Sequence, residues 1–509
     1  MYIPPYEQIV IPLINRFFDI SNFSAITWVI FTTSMPKNGY LHEKVAEEAA
    51  RLIHSGAFRP GDKLPSVRKL CQNYGVSLTT AVRAYLELEN IGLIEGRPKS
   101  GFYVRAQVQR RFKETLTARP LSTPVTLDQV RERMVTGEGD ADMISFGPGC
   151  PNPDILPVAK LGRLLGRVAR EAGSAGVTCT LPPGSEMLRR QISKRSPEFG
   201  CTLSPDEISV TSGCLEAIRI ALQTTTSSGA VIAIESPTNY GFVQLLSSLG
   251  LRAYEVPSNS VTGIDLDALE AARKNCGISC LLITSNFSNP LGTMLSDPQK
   301  KRIAEMAAAW KMPVIEDDVY GDLYFGERRP KTIKSFDSGG WVILCSSFSK
   351  TLAPGYRVGW AAPGRFLEGF KRLQFAGSIA PPTPTQLAMA EFLRSGGYEH
   401  FLRGVRQMYH RSVVKMREAV IESFPKSTRP SQPQGGFLLW VELDRQIDTI
   451  HLYQQAVQAK ISLAPGPLFS AHGNYTNCVR LNCALTWSLR VEKAIQYIGE
   501  LVGKTSSEC

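Results

Sequence analysis

Histidine is scarce in this 509-residue chain: there are six, and none stands beside two cysteines at metal-ligand spacing. The eleven cysteines are scattered between Cys71 and Cys509, so neither a zinc site nor a disulfide framework is indicated. No metal is expected, and without a signal peptide the thiols suit a reducing compartment. Long apolar runs are also missing. The patch Ile26–Phe31 is six residues long, whereas a bilayer span needs about twenty. Residues 1–38 carry almost no charge and lack both a basic leader and a small-residue cleavage site, so no secretory signal is read there. Met35 precedes a more ordinary beginning, and the expectation for this lead is an overextended start or a loosely ordered segment. No internal repeat or low-complexity block appears.

What is present is a globular composition, 43% hydrophobic, long enough for two or three domains. The net charge of +11 permits a nucleic-acid partner but does not locate one. Residues 41–107 hold ten basic and seven acidic groups, only +3 of that excess.

The stretch Ser346–Gly359 organises the rest. It follows the apolar run Trp341–Cys345, which reads as a buried strand, and it carries Ser347, Ser349, Lys350 and Arg357. A lysine delivered from such a strand either snorkels to water or pairs with a carboxylate. Alternatively it is a desolvated amine poised to attack a carbonyl, with the serines and the arginine holding a phosphate. The S-x-x-K pattern at Ser347–Lys350 also occurs in penicillin-binding enzymes, but the S-D-N and K-T-G partners of that motif are absent.

Two further strand ends favour the carbonyl chemistry. Met312–Tyr320 is a short apolar strand ending in acids, where Asp317 could keep a pyridine nitrogen protonated and Tyr320 could donate to a ring oxygen. Leu281–Thr284 leads into Asn286–Gly292, where Asn289 could reach the same oxygen. Acids and Asn-Pro turns at strand ends are ordinary loop chemistry when taken singly. Three such sites at the carboxyl ends of strands, where open sheets bind ligands, make a stronger pattern.

The order N-P-x-G, D-x-x-Y, S-x-S-K and R-x-G resembles fold-type I pyridoxal-phosphate enzymes of the aspartate aminotransferase class, over about residues 143–505. The resemblance implies Lys350 as the internal aldimine with pyridoxal 5'-phosphate and Asp317 as the pyridine partner. It places Asn289 and Tyr320 at the phenolic oxygen, and Ser347, Ser349 and Arg357 around the phosphate. Ser212, Gly213 and Cys214 become a helix start whose N–H groups help hold that phosphate, which the helix dipole independently favours. Tyr240 falls near the family's ring-stacking aromatic, Arg480 on the arginine that clamps a substrate carboxylate, and Gly149 in the segment lining that pocket. One departure is Cys179, five residues before Gly184, where the family has a tyrosine reaching the neighbouring subunit's phosphate. Its loss removes one hydrogen bond, about 1 kcal/mol.

Upstream, the pattern is helical from Leu41, with Val45, Ala49 and Leu52 on one face. Ser66 and Ser77 are placed to cap two short helices separated by a glycine turn. Ala81, Ala84, Tyr85 and Leu88 recur at helical spacing as core, while Leu78, Thr79 and Arg83 face outward. Residues 92–104 read as strand, basic tip and returning strand, with Arg97 and Lys99 at phosphate height. A helical triplet with solvated charges is the bland alternative. L-P-S-x-R, V-S, A-Y-x-x-L-E-x-x-G and G-R-P-K-S-G resemble the GntR winged-helix family instead. The resemblance implies DNA contacts from Arg68, the second helix start and the wing. Many members carry an arginine where this chain has Leu78, so affinity or sequence choice should differ, with Ser77, Thr80 and Arg83 still available.

Residues 106–141 read as a polar linker with a possible helix over Leu127–Met134. A winged helix-turn-helix (39–105) joined to an aminotransferase-like domain (142–505) resembles the MocR group of bacterial transcription regulators. The implied fold is a mostly parallel α/β sheet domain followed, from about residue 396, by a smaller α+β portion. That portion is expected to begin with a long helix over Tyr398–Ser423 and to contain a central strand over Gly435–Val441. Strands over Ile461–Gly466 and Cys478–Cys483 and a final helix near 487–503 complete it. The implied assembly is a homodimer in the bacterial cytoplasm carrying paired DNA readers, with an amino acid or other small amine as ligand. The competing reading is a working aminotransferase with an accessory DNA-binding domain.

Overall fold

A computed structural model describes residues 41–54, 58, 60–97, 100–105, 122–124 and 143–507. The lead segment, the possible helix at Leu127–Met134 and Lys99 lie outside the described residues.

The first unit is a helical triplet with a two-stranded wing. Helices span Leu41–His54, Val67–Tyr74 and Leu78–Asn90, and strands Ile94–Arg97 and Gly101–Val104 pair antiparallel. Each expected cap forms: the Ser66 hydroxyl accepts from Lys69 N–H at 3.3 Å and that of Ser77 from Thr80 N–H at 3.2 Å. Gly75 closes the second helix at φ +62, a left-handed position that glycine adopts without a Cβ penalty. Ala81, Ala84, Tyr85 and Leu88 are buried with Val45, Ala46 and Ala49. Leu52 is 38% exposed, so the first helix turns Ala46 inward instead. Leu78 is 59% exposed, as the spacing predicts.

The second unit is a nine-stranded sheet. Its path runs Ser122–Pro124, Arg252–Asn259, Val231–Ser236, Cys280–Ile283, Val314–Asp317, Val342–Ser347, Gly359–Ala362 and Ser209–Thr211, with Gly263–Ile264 paired alongside Arg252–Asn259. The five strands from Arg252–Asn259 to Val342–Ser347 are mutually parallel and almost wholly buried. Sheets covered on both faces read as continuous apolar runs, which is how Val342–Cys345 and Cys280–Ile283 appear in the sequence. Ser122–Pro124, inside the expected linker, adds an antiparallel edge strand against Arg252–Tyr254.

The long helix Gly397–Ser423 leads into the third unit, a four-stranded sheet in which Leu438–Glu442 lies between Arg429–Pro430 and Cys478–Asn482. The run Ile461–Pro465 is divided. Ile461–Ser462 pairs in parallel with Ile144–Ser145, while Ala464–Pro465 joins the four-stranded sheet. A helix over Leu489–Ser507 packs back on the long helix. Among the described residues no helix is long and apolar enough to cross a membrane.

Candidate functional site

Three adjacent strands deliver the central residues. Lys350 lies just past Val342–Ser347, Asp317 ends Val314–Asp317, and Asn289 follows Cys280–Ile283. The Lys350 amine donates to the Gly149 carbonyl at 2.6 Å. Burial lowers its proton affinity, with Arg480 and Arg357 adding to the fall and Asp317 opposing it. Asp317 is 3% exposed, and its Oδ1 accepts from Val319 N–H at 3.2 Å and from the Cys214 thiol at 3.3 Å. Burial dominates there and pushes the carboxyl up to about 6, although both donors hold it down. Tyr320 is buried beside these groups with its ring edge-on to Phe437 at 5.7 Å, and burial raises its phenol.

Beside the lysine lies a set of anion donors. Arg357, at φ +51, sends Nη1 to Ser349 Oγ at 3.4 Å and Nη2 to the Ser212 carbonyl at 3.1 Å. Ser347 Oγ accepts from Ser349 N–H at 3.3 Å. The helix Cys214–Thr225 is capped by Gly213 at φ +103, which has no side chain to offer its first amides. A Cβ there would sit 2.5 Å from Nη2 of Arg357, so only glycine lets the guanidinium lie against this helix start. An arginine, two serines and a helix N-terminus make a donor set suited to a phosphate dianion. A buried carboxylate close by suits a pyridinium. The residues present therefore fit pyridoxal phosphate.

On the other side, Arg480 is fully buried in the strand Cys478–Asn482. It donates through Nη1 to Asn289 Oδ1 at 3.1 Å and through Nη2 to the Gly147 carbonyl. Its guanidinium lies 4.9 Å from the Phe469 ring and 5.8 Å from that of Tyr240. A Cβ on Gly149 would lie 3.4 Å from Nη1. Lys350, Gly149, Arg480, Asn289 and Tyr240 are thus brought together. Cys179 is exposed.

Below the lysine loop is an ion cluster that motif reading missed. Arg329 donates to Asp318 and Asp322, and Asp322 also pairs with Arg195 at 3.3 Å. Tyr398, at the start of the long helix, donates to Asp322 Oδ2 at 2.9 Å, and its hydroxyl meets Thr351 Oγ1 at 2.8 Å. Near the far end of that helix, Glu418 accepts from Arg105 at 3.1 Å, beside a cleft of about 520 Å3 between the winged unit and the small sheet domain. Scattered acids and arginines of this kind carry no local sequence signal.

On the winged unit Arg68, Thr79 and Arg83 are exposed, Thr80 is half-buried, and Arg97 pairs with Glu95 at 2.6 Å. Ser77 Oγ also contacts Thr80 Oγ1 at 2.8 Å, so both hydroxyls are engaged at the second helix start.

Comparison with known proteins agrees with this division. Residues 169–498 match the family described as aminotransferase class I and II, and residues 41–104 match bacterial regulatory proteins of the gntR family. The chain is 37% identical to the uncharacterized HTH-type transcriptional regulator YjiR of Escherichia coli over 91% of its length and 98% of that protein. It is 29% identical to the 2-aminoadipate transaminase of Thermus thermophilus, over 70% of this chain and 89% of that one. The crystal structure of the α-aminoadipate aminotransferase LysN from Thermus thermophilus superposes with a TM-score of 0.69 at 26% identity, covering 76% of this chain and 97% of that one. The chain therefore belongs to the GntR family as a regulator of the MocR type, a winged helix-turn-helix fused to a fold-type I aminotransferase-like domain.

Proposed function

We propose that this protein is a sequence-specific DNA-binding transcriptional regulator that takes pyridoxal 5'-phosphate as its cofactor and an amino-acid-type ligand as its signal. The observation that carries the reading is the convergence of Lys350, Asp317, Arg357 and Arg480 in a chain whose other end is a winged DNA reader. Bound there, the cofactor supplies an aldehyde and an electron-withdrawing ring. Lys350, biased toward its neutral form, is the amine that attaches to the aldehyde. Asp317 sits where it can hold the ring nitrogen protonated, with Asn289 and Tyr320 toward the ring oxygen and Tyr240 toward the ring face. Ser347, Ser349, Arg357 and the Ser212–Cys214 helix start take the phosphate. Arg480, with its planar fork and rigid partners, grips a carboxylate, with Gly149 lining the same pocket. DNA is met by Arg68, Ser77, Thr80, Arg83, Arg97 and Lys99. A homodimer in the bacterial cytoplasm is part of this reading.

A complete lysine, acid and arginine set also supports a second reading, an aminotransferase with an accessory reader. With an amino acid bound beside it, Lys350 would be the amine placed to accept a proton from the α-carbon. Gel-shift titration with candidate amino acids, alongside keto-acid assay of the same preparation, separates the two. The regulator reading expects an amino acid to change operator affinity about 5–150-fold, and expects Arg480→Ala to lose that response while keeping basal DNA binding. Turnover of about 1 s⁻¹ or faster, with no amine effect on any operator, would put the enzyme first.

A further inference from the structure

Beside the wing stands a group of which the DNA contacts named above include only Arg97. Residues 61–64, just ahead of the second helix, lie along the returning wing strand. Gly61 N–H donates to the Val104 carbonyl at 2.8 Å, Leu64 N–H to that of Phe102 at 2.8 Å, and Val104 N–H to that of Asp62 at 2.9 Å. Lys63 is thereby paired across from Tyr103, and its Cε would lie 3.4 Å from a Cβ on Gly101. The ammonium stands 5.8 Å from the Tyr103 ring centroid, and the Arg97 guanidinium stands 4.4 Å from the same centroid. The Tyr103 hydroxyl meets Ser100 Oγ at 2.7 Å. Glu95 holds one edge of Arg97, through Nε at 2.7 Å and Nη2 at 2.6 Å, leaving this group of two cations and one acid at +1.

Two cations held against one tyrosine repel each other, and a cation–π contact close to the surface returns only about 0.5–1 kcal/mol. An anion between them would remove the repulsion. The phenol, engaged with Ser100 and flanked by both charges, is turned into a better donor to such an anion. The Ser100 hydrogen bond is the main influence pulling its proton affinity below the ordinary value, Lys63 and Arg97 add to it, and desolvation opposes.

We infer that Lys63, Arg97, Ser100 and Tyr103 form a clamp for one backbone phosphodiester of duplex DNA at the wing. This inference rests on the DNA-binding reading and deepens it, adding Lys63 and Tyr103 as contacts. A backbone phosphate carries no base information, so the clamp sets affinity and register and leaves sequence choice to the second helix.

The test is filter binding of the full-length protein over a series of salt concentrations, on a random-sequence duplex and on a selected operator. Lys63→Gln should weaken both by the same factor and reduce the log–log salt slope by about one. Lys63→Arg should keep the wild-type slope. Tyr103→Phe should weaken both duplexes about tenfold without altering the slope, since it removes a neutral donor to a charged acceptor. If Arg68→Ala weakens binding while Lys63→Gln and Tyr103→Phe match the wild type, the clamp is overturned and the regulator reading stands. A wild type that binds neither duplex would overturn both.

Discussion

The thiol of Cys214 donates to Oδ1 of Asp317 across 3.3 Å, joining the first residue of the helix Cys214–Thr225 to the carboxylate proposed for the pyridine nitrogen. Both residues are buried, at 6% and 3% exposure. This contact makes the protonation of Asp317 a measurable property of the cofactor-free protein.

Burial raises the Asp317 carboxyl from 3.8 to about 6. The folded state therefore binds this proton more tightly than the unfolded chain, and stability falls as pH rises between those two values. Above about pH 6 the full cost applies, on the order of 3 kcal/mol for a shift of about two units. Asp317→Asn should raise the melting temperature of the cofactor-free protein at neutral pH, and the gain should vanish near pH 4. Adding cofactor should reverse the ranking, because a cationic ring nitrogen selects the carboxylate. A pH-independent difference in melting scans would place the effect in packing rather than in ionisation.

Lys350 should be the only residue that fixes the cofactor. Borohydride treatment of the wild type should leave a stable adduct on the peptide containing Lys350, detectable by mass. Lys350→Ala should abolish that adduct while still retaining cofactor through the Arg357 and Ser349 side. An undiminished covalent yield in Lys350→Ala would reject the assignment.

The cluster of Arg329 with Asp318 and Asp322 predicts a large structural effect. Removing one partner of a buried ion pair costs about 3–5 kcal/mol, because the other charge stays buried without compensation. Arg329→Ala should lower stability by about that amount in denaturant unfolding, far more than Arg190→Ala, whose exposed pair with Glu186 is worth at most about 1 kcal/mol. Equal losses in the two variants would show that the cluster is solvated.

On DNA, Arg68→Ala should weaken all sequences about equally and reduce the salt slope by about one. Changes at Thr80 or Arg83 should alter the preferred sequence instead, since they lie on the helix proposed to face base edges. Competition between random and selected duplexes gives both quantities. An unchanged slope for Arg68→Ala would leave Arg68 as solvated charge.

The parts legible in the sequence were those set by neighbours. Ser66 and Ser77 announce their helices because a cap bonds an amide three residues on. Val342–Cys345 announces a buried strand, and the spacing of Lys350 and Arg357 follows from it. The contacts that stayed hidden join distant positions: Cys214 with Asp317, 103 residues apart, and Arg105 with Glu418, 313 apart. The division of Ile461–Pro465 between two sheets was hidden for the same reason, since its partners Ile144–Ser145 and Cys478–Asn482 lie far along the chain. Ser122–Pro124 is a three-residue edge strand, too short to show a period.

The long helix Gly397–Ser423 is held beside Thr351 through Tyr398 and against Arg105 through Glu418, positions about 30 Å apart at the usual helical rise. If a small molecule at Lys350 changes the hold on DNA by some factor, DNA must change the hold on that molecule by the same factor, because the cycle of four bound states closes. The operator is then an effector in its own right, and protein seated on its target sites would sense a different concentration of amine from protein free in solution.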